Sequence, residues 1–258
     1  MTQADRTAGA GTDHWRRAVM WTFAGIFVVA LAGGLVGSLT GGTGALAVPG
    51  HLRPGAAPRP STNTAPAAAL LTLSDLPSGW EAGGAAAAPT RTSPWSRELA
   101  SCVGVPSSVA ALRPTSYSSP DFTSANRQLA VEDTVSVYPS APSARAGYSA
   151  LASARTPGCM DAVGGAALRQ SIEQQAGTGT TVGTVAFAAL PATAHAAHQA
   201  GFSVTIPLVS DGRELLITST QIDVVEGTQV RQLTFNGNGT VFPALLEEQL
   251  VAAALARH

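Results

Sequence analysis

The residues of this chain that could do chemistry are few, and two cysteines head them: Cys102 in RELASCVGVP and Cys159 in TPGCMDAV. A thiol can act as nucleophile, metal ligand, lipid anchor or half of a disulfide, and its surroundings decide which. A catalytic thiolate wants a histidine within hydrogen-bond reach. Short of the terminal residue, the chain after Trp80 offers only His195 and His198. Those two lie in HAAH, without the glutamate a zincin places between its histidines, and no CxxC exists to complete a zinc site. They read as solvated side chains of a helix or loop, so no metal, no cofactor and no catalytic residue is expected.

Other candidates fall short in the same way. The run GTGTTVGT, Gly177 to Thr184, has neither the lysine nor the following helix of a phosphate cradle. Asp121 in YSSPDFTS has no placed histidine, and no G-x-S-x-G elbow marks a serine as nucleophile. Asn238, Gly239 and Thr240 fit a glycosylation sequon but read more simply as a turn capping the last helix. Asp133 interrupts an otherwise apolar strand face; there it marks a polar group in a cavity or, the preferred reading, a bulge or a sheet edge.

What the cysteines do depends on where they are. From Ala18 to Leu39 the chain carries no charge, and as a helix this stretch would span about 33 Å, enough to cross a bilayer. Arg16 and Arg17 lie against its N-terminal end, which keeps residues 1–17 in the cytoplasm and sends the rest outward. The expected organisation is a short cytoplasmic tail (1–17), a transmembrane helix (18–40), a disordered Pro/Ala-rich linker (41–69) and an extracytoplasmic domain (70–258) at the plasma membrane. The alternative is secretion after signal cleavage at the A-x-A site near Ala47. Gly33 and Gly37 share a GxxxG spacing through which a homodimer could pack. No cysteine follows the apolar run, so no lipobox is present. In an oxidising compartment Cys102 and Cys159 are expected to be bonded to each other.

The composition suits a folded domain. Of 258 residues 45% are hydrophobic and 12% charged, so Ser, Thr, Gly and Ala must supply much of the surface. A net charge of -1, with scattered arginines and no lysine, gives no footprint for nucleic acid.

The elements that must position these residues follow from pattern. Ser93 before Pro94 predicts the start of a short helix carrying Cys102. Leu129, Val131, Val135 and Val137 alternate as a strand ended by Pro139, and residues 140–155 and 157–176 read as helices. Residues 180–190 read as a strand. Phe202, Val204, Ile206 and Leu208 begin a three-strand meander with turns at Asp211-Gly212 and Glu226-Gly227, closed by a helix from Phe242 onward. Together they predict an α+β fold, an antiparallel sheet with helices packed on one face.

The segments LLTLSDLPSGW, ELASCVGVP, SPDF, VSVYPSAPSARAGY and DVVEGTQVRQLTF, with a second cysteine after a short helix, resemble actinobacterial extracytoplasmic sensor domains. These are the PknH-like extracellular domain and the related LpqN-type lipoproteins. The resemblance covers about Leu70 to the C-terminus. It implies a Mog1/PsbP-like α+β fold with a cleft between sheet and helices, and a non-catalytic role in binding. The sequence departs from the kinase-linked members in having no kinase domain before the membrane segment and cysteines for one disulfide rather than two. It departs from the lipoproteins in lacking the lipobox. The function expected is that of a membrane-anchored sensor-like domain of the cell envelope, binding a small apolar or amphipathic molecule or an envelope protein. The alternatives are an envelope hydrolase using Ser or Asp with His195 or His198, or a structural partner of a membrane complex.

Overall fold

The computed structural model describes residues 65–257 apart from 85, 87, 92–94, 177–178, 191–198 and 211. The chain runs α1 (Ala65–Ala69), β1 (Glu81–Ala82), β2 (Thr90–Arg91), α2 (Arg97–Val103), α3 (Ser107–Ala110), β3 (Thr115–Ser118), β4 (Phe122–Thr123) and β5 (Leu129–Val137). It continues through α4 (Ala141–Leu151), α5 (Thr156–Met160), a π-helical stretch (Asp161–Gly165), α6 (Ala166–Ala176), β6 (Thr180–Val182) and β7 (Ala186–Ala189). β8 (Gln199–Ser210), β9 (Arg213–Glu226), β10 (Gln229–Asn238) and α7 (Ala244–Leu255) complete it.

The expected meander is the backbone of the sheet. Ser210 pairs with Arg213 and Glu226 with Gln229, so both hairpins turn in two residues. Gly212 and Gly227 take the left-handed conformation, at φ 73° and 55°, that such turns need; Asp211 lies outside the described residues. Every strand pair is antiparallel. The order is β1-β4-β5-β10-β9-β8-β6, with β3 between β2 and β5 and β7 also beside β8. The strand predicted over residues 180–190 is two strands, because Gly183 presses on β8: a Cβ there would stand 2.7 Å from Pro207 Cγ.

Side chains two apart share a face, so the register sorts them. One face carries Val131, Leu233, Phe235, Ile222 and Val224, covered by Leu250, Val251 and Ala254 of α7 and by Leu71 and Leu76. The opposite face carries Phe202, Val204, Ile206, Leu208 and Ile217, beneath Leu99, Val103, Met160, Leu168 and Ile172. α4 closes one end of that second face through Ala144, against Tyr138, Val225 and Val230. Helices therefore cover both faces of the sheet, not the single face expected. The reason lies in β9, which is apolar at both parities: Ile222 and Val224 look one way, Ile217 and Val225 the other. Each buried side chain of this size contributes about 1.5–3 kcal/mol, so neither face can be left to water.

Cys102 and Cys159 are bonded, joining α2 to α5 with Cα atoms 5.6 Å apart. The bond closes a span of 57 residues, for which chain entropy gives about 4 kcal/mol. The cap of α2 is Ser96, whose Oγ accepts from Leu99 N at 3.1 Å; Ser93 and Pro94 lie outside the described residues.

Asp133 marks neither a bulge in its own strand nor an edge. It sits in an interior strand with unbroken register against β10. The irregularity lies opposite, where Ser119, Pro120 and Asp121 face only Glu132 and Asp133 between β3 and β4. Its carboxylate is fully buried, accepts from Leu71 N at 2.9 Å and pairs with Arg231 Nη1 at 3.5 Å. Arg231 also donates to the carbonyls of Ala254 and, at 2.9 Å, Ala69. One buried pair thus holds the entering chain, the sheet and α7 together. A second, outer pair joins Arg257 to Asp75 at 2.7 Å.

Candidate functional site

The polar residues of β9 and β10 that alternate with the apolar ones do not face water. On the face away from α7, Ser219 pairs with Asn236, Gln221 with Thr234 and Asp223 with Gln232. β5 adds Glu132 opposite Thr234 and Thr134 opposite Gln232. These residues form a polar floor, bordered by Phe202 and Val204 of β8 on one side and by Val225 and Val230 at one end. Ser219, Gln221, Asp223, Thr234 and Asn236 are each between 1% and 8% exposed, so helices cover what a half-buried sheet would give to solvent.

Gln221 Nε2 donates to both carboxylate oxygens of Asp223, at 3.1 and 3.0 Å, and Gln232 Nε2 donates to Asp223 Oδ1 at 3.5 Å. Those bonds fix the Gln221 amide and leave its Oε1 without a donor. Ser219 Oγ and Asn236 Oδ1 are also buried without partners. A buried polar atom without any hydrogen-bond partner costs about 1–3 kcal/mol, so three neighbours with no partner from the protein call for one from outside it.

The electrostatics point the same way. Burial pushes Asp223 up to about 7 against the pull of the Gln221 and Gln232 amides. Burial, with the charge of Asp121 beside it, pushes Glu132 up to about 7 as well. Burial raises Asp121 too. Tyr138 is pushed up to about 12, first by burial and then by the charge of Asp223, and Tyr148 is raised by the same two causes. Tyr138 is held under α4 by a glycine: a Cβ on Gly147 would stand 2.8 Å from the phenol oxygen. The ion pairs among the described residues are Asp133–Arg231 and Asp75–Arg257, so neither Asp223 nor Glu132 has a cation. The floor offers open acceptor oxygens beside two carboxyl groups that burial holds back from ionising, and what fits it is a group that brings hydrogen-bond donors.

Of the residues singled out in the sequence, Cys102 and Cys159 are found together in the disulfide, beside the helices that cover this face. His195, His198, Gly33, Gly37, Ala47 and the apolar segment 18–40 lie outside the described residues. Among the described residues no helix is long and apolar enough to cross a membrane, and no group of three or more His, Cys, Asp or Glu side chains could hold a metal ion. Gly239 forms a turn at φ 69° and donates to Leu216 O, but the cap of α7 is Pro243, so the sequon residues end β10 rather than capping the helix. The floor itself escaped the sequence reading. Its residues are the polar positions of ELLITSTQIDVV and QVRQLTFNGN, which look like the solvent side of a meander until helices are known to cover them.

No family model matches this chain, and no curated protein matches it. Among solved structures it is similar to the crystal structure of the extracellular domain of PknH from Mycobacterium tuberculosis, at 14% identity and a TM-score of 0.40, over 77% of this chain and 95% of that one. The likeness is distant and structural.

Proposed function

We propose that this protein is an extracytoplasmic, sensor-like domain that binds a ligand or an envelope protein on the polar floor and carries out no catalysis. The observation that carries this reading is the trio of unpartnered oxygens on adjacent strands, Ser219 Oγ, Gln221 Oε1 and Asn236 Oδ1. A sheet covered only for stability favours apolar side chains there, whereas a binding site needs convergent polar groups. Phe202 and Val204 border the floor, so of the apolar and amphipathic ligands expected, the amphipathic one fits: polar end toward Gln221, apolar end toward β8. The Cys102–Cys159 bond supports an oxidising compartment. The uncharged run Ala18–Leu39 behind Arg16 and Arg17 supports attachment to the plasma membrane with the domain outside.

The test is native mass spectrometry of the full chain released from detergent, set beside its denatured, unreduced mass. The expected result is a native adduct lost on denaturation and a denatured mass lacking the two thiol hydrogens. Two free thiols overturn the compartment, and covalent labelling by a serine-directed fluorophosphonate overturns the non-catalytic role. A high-resolution structure in which ordered waters alone complete Ser219, Gln221 and Asn236 overturns ligand binding.

A further inference from the structure

Three oxygens of the floor meet no donor, and among the described residues its carboxyl groups meet no cation. Ser219 and Asn236 face each other across β9 and β10, Gln221 stands two residues along from Ser219, and all three present an oxygen with no partner. Asp223 follows Gln221 on the same strand and face, and Glu132 lies across β10 on β5, opposite Thr234. The two carboxyl positions border the trio on adjacent sides, two strand spacings and two residues apart, about 12 Å. The arginine on β10, Arg231, shares the other face with Leu233 and Phe235 and is committed to Asp133.

Resting on the ligand-binding reading of this floor, we propose that its ligand presents a protonated amine. An ammonium brings three N–H donors and a positive charge on one small group, which answers the bare oxygens and favours the ionised form of a carboxyl group beside them. A neutral polyol supplies the donors and leaves Asp223 and Glu132 without a counter-charge. An anionic group meets two carboxylates of its own sign. A purely apolar ligand leaves all three oxygens as they are, at the cost of burying them. Asp223 continues the row of Ser219 and Gln221 along β9 and Glu132 lies across β10 level with Gln221, so a short diamine can set one ammonium toward each carboxyl group.

The experiment is isothermal titration of the full chain in detergent with putrescine (1,4-diaminobutane) and with 1,4-butanediol, the neutral compound of the same length. Putrescine is expected to bind at least tenfold more tightly than the diol, and Asp223→Asn and Glu132→Gln each to weaken putrescine at least tenfold and the diol by a smaller factor. Glu132 is only half-buried, so Glu132→Gln serves where Asp223→Asn fails to fold. Equal affinities for amine and diol, or a putrescine affinity indifferent to both substitutions, overturn the amine while the ligand-binding reading stands. Binding of neither compound overturns the amine. Binding of neither, with ordered waters found on the three oxygens, overturns the ligand-binding reading with it.

Discussion

Replacing Asp223 by asparagine should flatten the pH dependence of stability. The side chain is 1% exposed, and burial lifts its pKa from 3.8 to about 7. Between those values the folded protein holds a proton that the unfolded chain has released. Stability from this group is therefore fully present below about pH 4, falls as pH rises, and is lost by about pH 7. At about 1.4 kcal/mol per pH unit the loss reaches at most about 4 kcal/mol, a large part of a domain's net stability. Asparagine holds no such proton and fits the same bonds. Its oxygen can keep the Gln232 amide, while the Gln221 amide can turn so that Oε1, now bare, accepts from the new Nδ2. The variant should match the parent within about 1 kcal/mol at pH 4.5 and exceed it by about 2–4 kcal/mol at pH 7.5. The assay is urea unfolding of the full chain, followed by tryptophan fluorescence at pH 4.5, 6 and 7.5 with the disulfide intact. Glu132 and Asp133 titrate in the same window in both proteins, so the difference between the curves isolates Asp223. Parallel curves would refute the argument that a buried ionisable carboxyl opposes folding here.

Three further outcomes follow from particular contacts. Arg231→Met strands the Asp133 carboxylate in the core and should cost about 3–5 kcal/mol, with at least half recovered in the double variant Arg231→Met, Asp133→Asn; denaturant midpoints measure both. Gly147→Ala drives a methyl group against the Tyr138 phenol and should lose about 1–3 kcal/mol by thermal unfolding, a loss that Tyr138→Phe relieves by removing the oxygen. Reducing the Cys102–Cys159 bond should lower stability by about 4 kcal/mol, read as a drop in urea midpoint on adding dithiothreitol; an unchanged midpoint would show that the bond does not restrict the unfolded chain.

The parts of the fold visible in the sequence are those set by local pattern. Alternation from Phe202 to Leu208 and the glycines at 212 and 227 specify the meander without help from distant residues. The cysteine pair was legible through chemistry and compartment rather than geometry. The floor was not legible, because Ser219, Gln221 and Asp223 alternate with Ile222 and Val224 just as solvent-facing residues do. Only the placement of α4 to α6 over that face, a long-range outcome, turns those polar positions inward. Asp133 misled for a related reason: its partner Arg231 lies 98 residues away, and no local rule connects them. The capping serine was misplaced because Ser93 and Ser96 offer the same hydroxyl, and the choice depends on which turn Leu99 buries.

The Asp133–Arg231 pair also sets the load path of the molecule. Ala69 and Leu71, where the chain enters, are bonded to side chains of β10 and β5, and the same guanidinium grips the carbonyl of Ala254 near the end of α7. A pull on the chain ahead of residue 65 does not peel an edge strand from the sheet. It arrives at two central strands and the last helix at once, so the domain resists a tug as a block and transmits it to the strands that bear the polar floor.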